Sequence, residues 1–210
     1  EEQDINHLAV TISREYGSGG RLIGELVAQR LNAAFYNHNV IDRIAHESGQ
    51  DRSYISRWER QISSPGMWNG FPSVRRDGLS SHLQSEYYSN MGRMFTVQSR
   101  IIQTAAEEGP CVFVGRCAGY LLRNHAPALH VLIHASRDSR LRRVEQDYRV
   151  GGAPHVLAAV DRGRKSYYEE YTGQVWGDCH NYDLILDSGT LGIEGCAALI
   201  LSAVHQKRKR

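Results

Sequence analysis

The sequence predicts an α/β fold, a parallel sheet with helices on both faces. Three observations carry this. The apolar runs Leu8–Ile12, Cys111–Val114, Leu129–Ile133 and Leu184–Leu186 do not alternate with polar residues, the mark of strands buried on both faces. Helical periodicities separate them, which is the rhythm of strand–helix–strand crossovers. The first run leads into the first helix through the glycine-rich turn SREYGSGG, residues 13–20.

The elements follow in order. Leu8–Ile12 is the first strand. After the turn, Ile23, Leu26, Val27 and Leu31 recur at helical spacing, and this helix ends near Asn32. Ala34–Tyr36 is a short second strand, and Asn37 or Asn39 caps a helix carrying Val40, Ile41, Ile44 and Ala45. Residues 50–61 read as a polar helix. Residues 63–78, with Pro65, Gly66, Gly70, Pro72 and Gly78, read as a mobile loop. A long helix then runs to Glu108 with Phe95, Ile101, Ile102 and Ala105 facing inward, and Gly109-Pro110 ends it. Beyond the strands Cys111–Val114 and Leu129–Ile133, a basic helix spans Arg137–Arg149 and stops at Gly151-Gly152. Another spans Val156–Tyr171. Leu184–Leu186 is the last strand and Ile193–Val204 the closing helix.

Composition narrows the function classes. A chain of 210 residues, 41% hydrophobic and 23% charged, is one globular domain, not a disordered segment. The apolar runs fall short of the ~20 residues that span a bilayer, so no membrane partner is expected. Glu1, Glu2 and Asp4 are acidic where a secretory signal needs positive charge, so no such signal is expected to open these residues. Formal net charge is +2, and −2 without the basic tail Lys207–Arg210, which argues against a dedicated nucleic-acid binder. Cys111, Cys117, Cys179 and Cys196 show no C-x-x-C pair, and the ten histidines no H-E-x-x-H. The expectation is free thiols in a reducing cytoplasm and no structural metal. Of the 25 basic residues, 22 are Arg, whose planar fork suits bidentate contact with phosphate.

The turn between the first strand and helix carries the chemistry. A helix N-terminus behind a glycine-rich turn offers free backbone N–H groups and the positive end of a dipole, a cradle for phosphate. The P-loop pattern is G-x-x-x-x-G-K-[ST], and this chain departs from it, since its first lysine is Lys165. With Gly20 as the second glycine, Glu15 replaces the first, Arg21 the lysine and Leu22 the hydroxyl residue. With Gly19 instead, Gly20 takes the lysine position and Arg14 that of the first glycine. Spacing does not choose between these frames. In either, Gly17, Ser18, Gly19 and Gly20 line the loop, and Arg14 and Arg21 flank it to supply the missing charge.

SREYGSGGR, the segment Phe35–Ile41, CVFVGRCAGYLL (Cys111–Leu122) and SYYEEYTGQVWGD…NYDLILDSGTLGIEG (Ser166–Gly195) occur in one order along nearly the whole chain. Together they resemble the cytidylate kinase-like proteins of the P-loop kinases. The resemblance implies one P-loop kinase domain over residues 1–210: a three-layer α/β fold with about five parallel strands, a helical substrate cap near 37–108 and a lid near 137–165. It also implies ATP as phosphoryl donor, with Mg²⁺, and small nucleotide acceptors. Arg43 matches an arginine that contacts the acceptor nucleotide, while Asn37 and His38 stand where an Asp-Ser pair reads the base. Arg116 matches the arginine that meets the acceptor phosphate. Arg140 and Arg143 match arginines leading into the lid, Asp161 and Arg164 the D-x-x-R after it, and Asp187 the aspartate ending the last strand. Ser18 and Ser13 are the candidates for Mg²⁺.

The physics of phosphoryl transfer fits this assignment. It needs positioning and neutralised charge more than covalent help, and residues 137–164 hold seven Arg against four acids. Arg142 and Arg149 read as solvated, and Tyr167, Tyr168, Tyr171 and Trp176 as packing between the lid base and the sheet. Trp58 and Trp68 fall in the cap region. The expected activity is an ATP-dependent nucleoside-monophosphate kinase acting on CMP or dCMP. Alternatives are a P-loop kinase for another small acceptor, or a catalytically weak nucleotide-binding regulatory protein.

Overall fold

In the computed structural model the apolar runs align as one parallel sheet. Residues 7–37, 81–148 and 153–207 are described. His38, Arg43, Trp58, Trp68, the helices expected over 40–61, the loop at 63–78, Arg149, the glycine stop at 151–152 and the tail residues 208–210 lie outside them. The strands are β1 (Ala9–Arg14), β2 (Ala34–Tyr36), β3 (Cys111–Val114), β4 (Ala128–His134) and β5 (Leu184–Asp187), in the order β2-β3-β1-β4-β5. The central strand β1 pairs with both neighbours, so Val10 stands beside Val112 and Leu129, and Ile12 beside Val114 and Val131. The helices are α1 (Gly20–Leu31), α2 (Ser81–Glu108), α3 (Ala118–Leu121), α4 (Arg137–Gln146), α5 (Ala153–Thr172) and α6 (Ser188–Lys207).

Strand period sorts the core into two layers. Val10, Ile12, Val112, Val114, Val131 and Ile133 face α1 and α6, where Ile23, Val27, Ala197, Ile200 and Val204 meet them. Ala9, Cys111 and Phe113 face the opposite side, against Ile102, Ala105 and Ala106 of α2 and Ala118 of α3. Each of these fully buried Val and Ile side chains contributes about 1.5–3 kcal/mol. Helix α1 comes close to the sheet through Gly24, where an added Cβ would lie 2.7 Å from Val114 Cγ2. It ends at Asn32 in the left-handed conformation (φ 50°).

Within the described residues the expected strands and helices are present with shifted ends. β1 runs on to Arg14 because Ser13 and Arg14 pair with Leu132 and Ile133 of β4. α4 stops at Gln146, before the expected Arg149. Gly192 (φ 70°) interrupts α6, so its regular part starts near Ile193, as the periodicity predicts. The α3 turn and a 3₁₀ turn at Cys179–Asn181 went unforeseen, being too short to show a period. The expectation that no segment reaches bilayer length needs adjusting. Among the described residues α6 has the length and mean hydropathy (1.2) to cross a membrane. Its inner face, Cys196, Ala197, Ile200 and Val204, is packed in the core.

The chain leaves β1 toward β2 on one side and later places β4 on the other. The carboxyl end of β1 is thus a topological switch point, where ligands enter open α/β sheets.

Candidate functional site

Residues 15–19 join β1 to α1 at this point. Gly17 (φ 79°) and Gly19 (φ 77°) are both left-handed, which glycine adopts without steric cost. A side chain at Gly17 would also press on the Arg140 carbonyl, 2.8 Å from an added Cβ. Gly19 caps α1, and no side chain occupies the cap. The leading N–H groups of α1 therefore point to a ligand position with the helix dipole behind them.

The loop is held from beneath. Asp161 of α5 accepts from the Tyr16 backbone N–H (2.7 Å) and pairs with Arg140 and with Arg164 (4.0 Å). Arg140 also donates to the Tyr16 carbonyl (3.2 Å), and its Nε lies 3.3 Å from Glu15 Oε2. Ser188, at the head of α6, donates to the Ser18 carbonyl and the His134 carbonyl. Three remote segments thus set the shape of a five-residue turn.

Arginines crown it. Arg143 donates to the Gly17 carbonyl (2.8 Å), with its guanidinium beside Gly19. Arg164 donates to the Arg14 carbonyl (3.1 Å) and lies over the Tyr16 ring. Arg14 leaves the end of β1 past Gly20, where an added Cβ would lie 2.6 Å from its own, and its guanidinium rests on Gly115. Burial depresses the Arg14 pKa first, then repulsion from Arg164 and Arg116, with Asp161 opposing. Burial likewise depresses Arg116 and Arg164. Arg14, Arg116 and Arg164 thus form a half-buried, mutually repelling cluster beside the helix N-terminus, an arrangement relieved by an anion.

The backbone carrying Arg116 is strained. Gly115 (φ 84°), Arg116 (φ 59°) and Cys117 (φ 56°) are three left-handed residues in a row, and each of the two non-glycines costs about 1–2 kcal/mol. Gln98 of α2 donates to the Arg116 carbonyl (2.8 Å) and helps to hold it. Strain of this kind persists where packing over-determines it, and it clusters at ligand sites.

Several expected site residues stand elsewhere. Arg21 forms an exposed pair with Glu25 (3.0 Å), and its charge also acts on Tyr148 alongside Arg143 and Arg164. Asp161 sits under the loop as an anchor and Arg140 beside it as a strut, so neither opens onto a ligand position. Asp187 turns to the head of α6, accepting from the Gly189 N–H and the Thr190 hydroxyl, and these bonds hold its carboxyl below the usual range. Asn37 follows β2. Sequence reasoning missed Glu15, Gln98 and Ser188. Glu15 was visible inside the loop motif; nothing local marks the other two.

Among the described residues the donor set fits phosphates. The Ser18 hydroxyl is fully buried and donates to the Glu15 carbonyl (2.9 Å), and Ser13 Oγ accepts from Trp176 Nε1 (3.2 Å). Burial sets Ser18 back from the ligand position. Of the aromatic residues expected to pack against the sheet, Trp176 bonds Ser13 of β1, whereas Tyr171 stacks on Phe95 of α2 at 4.4 Å with Tyr167 beside it.

The family described as cytidylate kinase-like matches residues 9–190. No curated protein matches the chain. The crystal structure of an uncharacterized protein from Eubacterium ventriosum is 21% identical, with a TM-score of 0.69 over 94% of this chain and 98% of its own. Shikimate kinase from Bacteroides thetaiotaomicron is 10% identical, with a TM-score of 0.52 over 94% and 98%. Shikimate kinase from Acinetobacter baumannii in complex with shikimate is 12% identical, with a TM-score of 0.51 over 96% and 95%. At these identities the likeness is one of fold.

Proposed function

The chain belongs to the cytidylate kinase-like family and has the P-loop kinase fold, and on that premise we propose that it is an ATP-dependent nucleoside-monophosphate kinase with CMP or dCMP as acceptor. The observation carrying this reading is the convergence of Arg14, Arg116 and Arg164 on the uncapped N-terminus of α1. The N–H groups over Gly17–Arg21 hold the donor phosphates, with Arg143 above them. Arg116 holds the acceptor phosphate. Arg14 and Arg164 lie between and neutralise the transferring phosphoryl group, so Arg14 takes the charge role of the absent lysine. Arg140 and Asp161 act through the loop, as positioning residues. Residues 137–165 form the lid that excludes water, and residues 37–108 the acceptor cap, with Asn37, His38 and Arg43 at the nucleotide. Mg²⁺ accompanying ATP is held by phosphate and water oxygens, since Ser18 and Ser13 are engaged.

The test is ADP release by the purified chain with ATP, Mg²⁺ and each of CMP, dCMP, UMP, AMP and GMP, beside a control without acceptor. Release that depends on CMP or dCMP is expected. Release that ignores the acceptor, or none with any nucleotide, overturns the proposal. Asn37 and His38 in place of the Asp-Ser pair favour a second reading, a P-loop kinase for another small acceptor. Release with a non-nucleotide alcohol alone would establish it.

A further inference from the structure

Between α5 and β5 the chain makes the 3₁₀ turn Cys179–Asn181, capped by Asp178. Asp178, Cys179 and His180 present a carboxylate, a thiol and an imidazole whose ligand atoms all lie within 4.8 Å of one another. We propose that these three adjacent residues bind a thiophilic divalent cation of the zinc type, apart from the phosphoryl-transfer site. Searches for C-x-x-C or H-E-x-x-H pass over such a set, because it is assembled by the turn and not by a helical repeat.

The chemistry of the donors selects the ion. Thiolate and imidazole favour Zn²⁺ and its soft neighbours, whereas Mg²⁺ and Ca²⁺ take oxygen ligands. The spacing fits as well. Zn–S bonds of about 2.3 Å and Zn–N bonds of about 2.0–2.1 Å at a tetrahedral angle separate sulfur from nitrogen by about 3.6 Å. Cys179 Sγ stands 3.6 Å from His180 Nδ1. Asp178 Oδ1 is 2.8 Å from the same nitrogen, a hydrogen-bond distance shorter than a tetrahedral edge. An ion replaces that hydrogen bond with a bond to each atom, the neutral imidazole carrying its one proton on Nε2.

The turn is ordered before any ion arrives. Asp178 Oδ1 accepts from the His180 backbone N–H (3.0 Å), Asn181 Nδ2 donates to the Val175 carbonyl (3.1 Å), and the Tyr182 N–H donates to the Cys179 carbonyl (3.2 Å). The bonds from His180 keep the Asp178 carboxyl below its usual range and so ionised. His180 also lines an open cavity of 240 Å³ together with Tyr120, Gln174 and Asn181. All three ligands are exposed, so an ion held by them keeps a position open to water, the pattern of an open site and not a closed structural one. Binding forms one metal–sulfur bond and releases the thiol proton to solvent.

Cobalt(II) is the probe. Titrated into the untagged full chain, it should give a thiolate-to-cobalt charge-transfer band that saturates at one equivalent and is displaced by Zn²⁺. Cys179→Ser should abolish the band, and His180→Ala should weaken Zn²⁺ binding about tenfold or more. Both positions are exposed, so far-UV circular dichroism should stay unchanged. Absence of the band in the parent chain, or its persistence in Cys179→Ser, overturns the proposal.

Discussion

Arg14 and Arg116 are fixed by glycines. Arg14 can lie down only because Gly115 has no side chain, and it leaves the strand only because Gly20 has none. Arg116 is held in a left-handed conformation that places its guanidinium beside Arg14. Removing one charge from this cluster strips transition-state stabilisation and relieves repulsion in the free protein. Arg116→Ala is therefore expected to lose at least about 100-fold in turnover while its melting temperature holds or rises. Turnover near the parent value would remove Arg116 from the site. The place of Arg116 at the carboxyl end of the sheet was legible in the sequence, because it stands two residues past a continuous apolar strand. Arg21 meets Glu25 for a local reason. Position four residues before Glu25 on a helix pairs those two on the surface, and a motif frame contains no information about which way a helix presents a side chain.

At the scale of elements, α1 matters most because its N-terminus is the proposed phosphate cradle and its height above the sheet sets where that cradle would sit. Gly24 determines the height: an added Cβ would lie 2.7 Å from Val114 Cγ2, 3.1 Å from Phe35 Cε2 and 3.3 Å from Ile12 Cδ1. All three neighbours are side chains of the sheet layer, so helix and sheet must separate. Gly24→Ala is expected to destabilise by about 1–3 kcal/mol, read as a lowered midpoint in denaturant at unchanged slope. An unchanged midpoint would mean that the layer repacks freely. The strands were legible from apolar runs and α1 from its period. The left-handed turn before α3 was not, since no composition rule marks successive non-glycine residues with positive φ.

For the whole molecule, the decisive feature is that the loop is tied to segments over a hundred residues away. Arg140 joins α4, α5 and the loop by bonding Asp161, Glu15 and the Tyr16 carbonyl, and its side chain is only 12% exposed. Arg143, three residues later, meets the loop at one carbonyl. The two arginines read alike in SRLRR yet do different work. Arg140→Ala takes the main cation from Glu15 and leaves Asp161 with only the longer pair to Arg164, and should cost about 1–3 kcal/mol in thermal or denaturant unfolding. Arg143→Ala should leave stability within about 1 kcal/mol and raise the KM for ATP instead. The reverse pattern would exchange their roles.

The order of the strands, the parallel sheet, the glycine turn at the head of α1 and the family were all present in the sequence. Each depends on local pattern: apolar runs, helical period, glycine at a strand–helix junction, motifs in order. Tertiary structure alone decided which arginines meet the loop, which carboxylates are already spent, and that Ser18 turns inward to Glu15. Those outcomes depend on side-chain direction and on contacts such as Tyr16 with Asp161 and Ser188 with Ser18. A linear pattern does not encode them, because the energy of a buried charge or hydroxyl is set by what the fold brings beside it.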